Sequence, residues 1–112
     1  MKQNQVSDLL KALSENDVCI AVVVPCYKVS RQVQHVIDKI GDEVRQIYVV
    51  DDACPEGSGK LVSDNTKDDR VKVLFHSKNQ GVGGAVITGY CAAIDGGADI
   101  IVKVDGDGQM DP

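Results

Sequence analysis

Followed for its alternation of apolar and polar positions, the chain separates into blocks of two kinds. Val6, Leu9, Leu10 and Leu13 share one helical face, which predicts a helix over 6–15. The run "CIAVVV" is continuously apolar and largely β-branched, as in a strand buried on both faces, and Pro25 is expected to end it. Val29, Val33, Val36, Ile37 and Ile40 then recur at helical spacing, with Gly41 as the stop. "QIYVV" predicts a second strand, and "SGKLVSDNTK" a short helix capped by Ser58. A third strand, "VKVLFH", leads to a helix whose stripe is set by Val82, Val86, Tyr90 and Ile94 and which ends at Gly96-Gly97. "IIVKV" is the fourth strand.

The order is thus a helix followed by β-α-β-α-β-α-β, with strands beginning about twenty-five to thirty residues apart. Strands separated by helices of this size pair in parallel through right-handed crossovers. The fold class expected is α/β, a Rossmann-like parallel sheet with alternating helices. Ligands of such sheets sit beyond the carboxyl ends of the strands, near the switch point in strand order. The segment after each strand therefore bears on function. The four segments are "PCYK", "DDACPEGSG", "HSKNQGVGG" and "DGDGQMDP", and they should converge on one edge.

Composition narrows the candidates. At 112 residues with 43% hydrophobic content, no Trp and one Phe, the chain forms one small aliphatic-cored domain or part of a larger one. The formal charge of -5, with basic residues scattered, argues against nucleic acid as a partner. The N-terminus lacks the apolar stretch of a signal peptide, and no apolar run is long enough to span a bilayer. Cys19, Cys26, Cys54 and Cys91 show no C-x-x-C spacing, so they read as free, buried thiols of a reducing compartment. A cytoplasmic protein is expected.

The glycine-rich motifs do not match dinucleotide or phosphate-loop fingerprints. In "GVGGAV", Val86 stands where Gly or Ala is needed, and the motif follows the third strand rather than the first. "EGSGKL" lacks the first Gly of a phosphate loop and has Leu61 in place of Ser or Thr. Gly83 and Gly84 serve either helix packing or the approach of a phosphate. "DGDGQMD" fails as an EF-hand, because Met110 occupies the glycine position and a strand leads in. Asp105 and Asp107, one residue apart at a strand's tip, can reach the same cation, with Gln109 as a neutral oxygen donor. Such an oxygen-rich set suits Mg²⁺ or Mn²⁺. The alternative for these carboxylates is a solvated turn. Asp51-Asp52 resembles the acid pair of receiver domains, but it follows the second strand, and His76 follows the third. Reading a base N–H or a ribose hydroxyl fits that pair better.

Taken together, "VVVPCYK", "VVDDACPEGS", "NQGVGGAVITGY" and "VDGDGQMDP" resemble the N-terminal half of family-2 glycosyltransferases of the GT-A fold. The likeness is to their polyprenyl-phosphate branch, that of dolichol-phosphate mannose or glucose synthases. It runs from about Cys19 to Pro112, and the D-x-D-x-Q-x-x-P ending is its most specific part. The resemblance implies an enzyme that transfers a sugar from a UDP- or GDP-linked donor to an acceptor, polyprenyl phosphate in this branch. It implies donor contacts from Pro25, Tyr27, Asp51, Asp52, Asn79, Gly81 and Asp105. It also implies a metal, Mg²⁺ or Mn²⁺, held by the DXD pair Asp105 and Asp107 with Gln109. Two departures stand out: Lys28 replaces the usual Asn after Tyr, and Ala53-Cys54 replaces small polar turn residues.

The division expected is a helical extension over 1–17 and the nucleotide-sugar-binding half of a GT-A domain over 18–112, incomplete at its C-terminus. Such a fragment should bind donor and transfer little sugar. A full-length protein would work at the cytoplasmic face of a membrane, contacting it through further segments. The other readings are a receiver-like signalling domain and a non-catalytic module that dimerises through an exposed sheet edge.

Overall fold

The computed structural model describes residues 8, 9, 12 and 18–106. The predicted alternation is present as β1 (Ile20–Cys26), α1 (Val33–Asp38), β2 (Gln46–Asp51), α2 (Ser58–Asn65), β3 (Val71–Phe75), α3 (Gly81–Asp95) and β4 (Ile100–Lys103). Every strand pair is parallel, and the four-stranded sheet has the order β3-β2-β1-β4. Of the predicted N-terminal helix, Asp8, Leu9 and Ala12 are helical and exposed, while Val6, Leu10 and Leu13 lie outside the described residues.

The continuous β-branched runs fill the centre of the sheet, as their pattern requires. Ile20, Val22 and Val24 of β1 join Ile47 and Val49 of β2 on one face, packed with Val33 and Ile37 of α1 and Val62 of α2. Ala21, Val23, Tyr48 and Val50 form the other face with Ala85 and Ala93 of α3. Each fully buried aliphatic side chain stabilises the fold by about 1.5–3 kcal/mol. β3 and β4 are the edges and are only half-buried. Among the described residues, no helix is long and apolar enough to cross a membrane.

Several local expectations are corrected. Strand β1 runs through Pro25 to Cys26. The Val23 carbonyl accepts from Val104 N–H, so Pro25, two residues on, turns its missing N–H toward the β4 side. Pairing with β4 has already ended at Val23, so no ladder bond is lost. Helix α1 is shorter than the apolar spacing suggests. Val29 enters through a turn, its carbonyl accepting from Gln32 and Val33 N–H, yet Val29 and Ile40 still pack on the core. Ser58 is the first residue of α2, not its cap; Gly57 holds the cap position at φ 70°.

The largest correction concerns α3. Val82 and Ile94 are 62% and 64% exposed, and Tyr90 also faces outward. The sheet takes Ala85, Gly89 and Ala93 instead. Clearance explains this choice, because a Cβ on Gly89 would overlap the Val23 side chain. Small residues let the helix lie close on β1, which leaves the larger apolar ones outside. Gly83 has open space around its Cβ position, and Gly84 meets only the side chain of Gln80, so neither serves helix–sheet packing.

Candidate functional site

Because β2 and β3 extend the sheet on one side of β1 and β4 on the other, strand order reverses between β1 and β4. The crevice at such a reversal is the general ligand position in open α/β sheets. A cavity of about 450 Å³ opens there. That volume falls within the range of about 300–1,000 Å³ found for small-molecule sites. The turn after β1 lines it with Pro25, Cys26, Tyr27 and Val29, and Asp52 enters from the end of β2. Asn79, Gly81, Val82 and Ala85 come from the third turn and α3, and Asp105 and Gly106 from the end of β4. Of the residues nominated by sequence, Pro25, Tyr27, Asp52, Asn79, Gly81 and Asp105 meet on this wall, and Asp51 does not. Asp107 and Gln109 lie outside the described residues.

Adjacent residues of a strand point to opposite faces, and the two acids of the second turn divide accordingly. Both are almost fully buried, Asp51 at 4% and Asp52 at 3% exposure. Asp51 accepts hydrogen bonds from the N–H groups of Cys54 (2.7 Å) and Gly59 (2.8 Å). Gly59 lies in the first turn of α2, so Asp51 caps that helix from β2, the role expected of Ser58. Glycine is required at 59, since a Cβ there would stand 2.6 Å from the Asp51 Cβ.

Asp52 is held from several directions. Its Oδ1 lies 2.8 Å from His76 Nδ1 and accepts from Gln80 N–H at 2.7 Å. Its own N–H donates to the Cys26 carbonyl, and its carbonyl accepts from Asn79 Nδ2. Burial pushes the Asp52 carboxyl upward, but the His76 hydrogen bond, the N–H groups of Gln80 and Gly81 and the positive charge His76 carries when protonated outweigh it, so Asp52 titrates below the usual range. An ionised, oriented acceptor therefore faces the cavity. His76 was not nominated from sequence. The pair is separated by 24 positions and meets only because β2 and β3 are neighbours.

Tyr27 is partly exposed at the mouth, with Lys28 Nζ 5.4 Å from its ring centroid. The Lys28 backbone is left-handed, and its N–H donates to Cys54 Sγ at 3.1 Å. Burial raises the Cys54 thiol, but the Ser58 hydroxyl and the N–H groups of Ser58, Lys28 and Glu56 bring it below its ordinary value. Cys26 is pushed up to about 12, mainly by burial and then by the charges of Asp51 and Cys54. The cysteines are free, as expected, but of the four only Cys26 is buried; Cys19 and Cys54 are half-buried and Cys91 is exposed.

Asp105 follows β4, where Val104 N–H donates to the Val23 carbonyl and ties this turn to β1. Its side chain is 41% exposed, with Lys103 Nζ 3.1 Å from Oδ1. Among the described residues, no group of three or more His, Cys, Asp or Glu side chains could hold a metal ion.

Comparison with known proteins bears on both fold and family. The structure superposes on mannosyl-3-phosphoglycerate synthase from Rubrobacter xylanophilus with a TM-score of 0.72 at 20% identity, over 94% of this chain and 36% of that one. The architecture is the GT-A type of α/β fold. The family model "Glycosyl transferase family 2" matches residues 21–112, and the chain belongs to that family. Undecaprenyl-phosphate mannosyltransferase of Micrococcus luteus is 30% identical over 83% of this chain and 40% of its own length. UDP-N-acetylglucosamine–dolichyl-phosphate N-acetylglucosaminyltransferase of Methanococcus voltae is 30% identical over 86% of this chain and 44% of its own. Polyprenol monophosphomannose synthase of Mycolicibacterium smegmatis is 27% identical over 81% and 36%. The chain thus spans less than half the length of these relatives.

Proposed function

We propose that this chain is the donor-binding portion of a glycosyltransferase that moves a sugar from a nucleotide diphosphate to polyprenyl phosphate. The observation that carries the reading is the convergence of Pro25, Tyr27, Asp52, Asn79, Gly81 and Asp105 on one cavity at the sheet's switch point. The acceptor class rests on the polyprenyl- and dolichyl-phosphate transferases among the relatives. On this reading the reaction takes place in the cytoplasm, at the membrane face that presents the lipid.

Each residue has a role in the proposed site. Pro25 and Tyr27 flank the nucleoside, with the ring as its apolar wall. Asp52, ionised and fixed, accepts from a base N–H or a ribose hydroxyl. Asn79 and Gly81 stand at the start of α3, where the Gly81 N–H donates to Asn79 Oδ1 and the positive end of the helix dipole favours the donor's phosphates. Asp105 is a half-exposed carboxylate on the cavity wall, available as an oxygen ligand. Together with Asp107 and Gln109 it would supply the oxygen donors that Mg²⁺ or Mn²⁺ prefers. When bound there, the cation supplies charge neutralisation to the departing diphosphate. A lipid phosphate acceptor is already an anion at neutral pH, so no residue is assigned as catalytic base.

Calorimetric titration with UDP- and GDP-linked sugars, with and without Mn²⁺, tests the assignment. Binding of one nucleotide class is expected, strengthened by Mn²⁺ and insensitive to Mn²⁺ in Asp105→Ala and Asp107→Ala. Donor affinity indifferent to both Mn²⁺ and these substitutions would remove the metal from the account. The 112-residue chain alone is expected to transfer little sugar.

A further inference from the structure

We infer that His76 and Thr88 are positioning residues that fix the Asp52 carboxylate for recognition of the donor's nucleoside. The inference rests on the donor reading above and adds two residues outside the cavity wall. His76 Nδ1 lies 2.8 Å from Asp52 Oδ1, and His76 Nε2 lies 2.8 Å from Thr88 Oγ1. The side chains of the His76–Asp52 pair are 7% and 4% exposed. The line of contacts runs from the middle of α3, through the residue after β3, to the end of β2.

The chemistry gives this line a direction. An ionised carboxylate only accepts, so Nδ1 must carry the proton that points at Asp52. In the neutral ring Nε2 is then an acceptor, and the Thr88 hydroxyl donates to it. Proton positions are therefore set in sequence, Thr88 to His76 to Asp52. Gln80 N–H approaches the same Oδ1 as His76. Two donors on one oxygen lock the rotation of the carboxylate about its Cβ–Cγ bond. An Asp52 free to rotate would present its oxygens to the cavity in several orientations and lose selectivity for a donor group placed at one of them. Hydrogen bonds to a charged acceptor are the stronger class, which makes the histidine's contribution measurable.

The test uses the 112-residue chain with UDP and GDP as probes in the presence of Mn²⁺. Asparagine places an amide N–H near the Nδ1 position of histidine, whereas glutamine places it nearer Nε2. His76→Asn should therefore hold nucleotide affinity within about threefold, and His76→Gln and His76→Leu should each lose about tenfold. Combined with Asp52→Ala, His76→Leu should add no further loss, because it acts through the group already removed. If His76→Leu does not fold, the asparagine and glutamine pair carries the same comparison. Independently of any nucleotide, ¹⁵N spectra of the neutral His76 ring should show the Nδ1–H tautomer. Unchanged affinity in His76→Leu, a loss that adds fully to that of Asp52→Ala, or an Nε2–H tautomer would each overturn the inference alone. A wild-type chain that binds neither nucleotide would overturn the donor reading and this inference with it.

Discussion

Asp51 and Asp52 are chemically identical neighbours with opposite assignments, and the strand's pleat is what separates them. Asp51 is turned toward α2 and satisfies two backbone N–H groups. Asp51→Ala leaves both unpaired in a buried place and should cost about 2–3 kcal/mol in urea unfolding, while nucleotide affinity in the folded fraction stays unchanged. Asp52→Ala should instead weaken nucleotide binding about tenfold. Acid stability is a further residue-scale consequence. Asp68 is held below its usual range by the Arg70 hydrogen bond, against the opposing effect of burial, and Asp52 is also held low. A carboxyl depressed in the folded state stabilises fully above its unfolded value, about 3.9, and loses that contribution as pH falls through the folded value. Stability followed by circular dichroism should therefore decline from about pH 4 downward, and Asp68→Asn should make the decline shallower.

At the scale of elements, α3 shows how a correct helix can be assigned the wrong face. The periodicity of Val82, Val86, Tyr90 and Ile94 is real, but burial follows clearance as well as hydrophobicity, and Ala85, Gly89 and Ala93 give the closer approach. Gly89→Ala should destabilise by about 1–3 kcal/mol through overlap with Val23. Gly83→Ala meets open space and should be neutral or stabilising by up to about 1 kcal/mol. Thermal or urea melts of the two variants check the contrast. The strands were more legible than the helices. A β-branched run buried on both faces, such as Ile20 to Val24, has few other places to go. Ser58 yields the capping role to Asp51, which lies seven positions earlier on a strand, beyond the reach of a local rule. The Asp52–His76–Thr88 line was illegible for a related reason, since it depends on which strands become neighbours.

For the whole molecule, element order predicted a parallel sheet, and strand order then located the site. Four polar turns are expected on one edge, and their described residues, the fourth as far as Gly106, stand at the carboxyl ends of strands ordered β3-β2-β1-β4. The reversal between β1 and β4 brings Pro25 and Tyr27 opposite Asp105, residues about eighty positions apart in sequence. Membership of glycosyl transferase family 2 agrees with that arrangement, and the proposed donor chemistry depends on it. A crystal of the chain soaked with Mn²⁺ and UDP or GDP tests this most directly. The expected map shows the nucleoside against Tyr27 and Asp52, and an anomalous manganese peak bridging Asp105 and the diphosphate. Nucleotide bound elsewhere, or a filled cavity with no ion at Asp105, would contradict it.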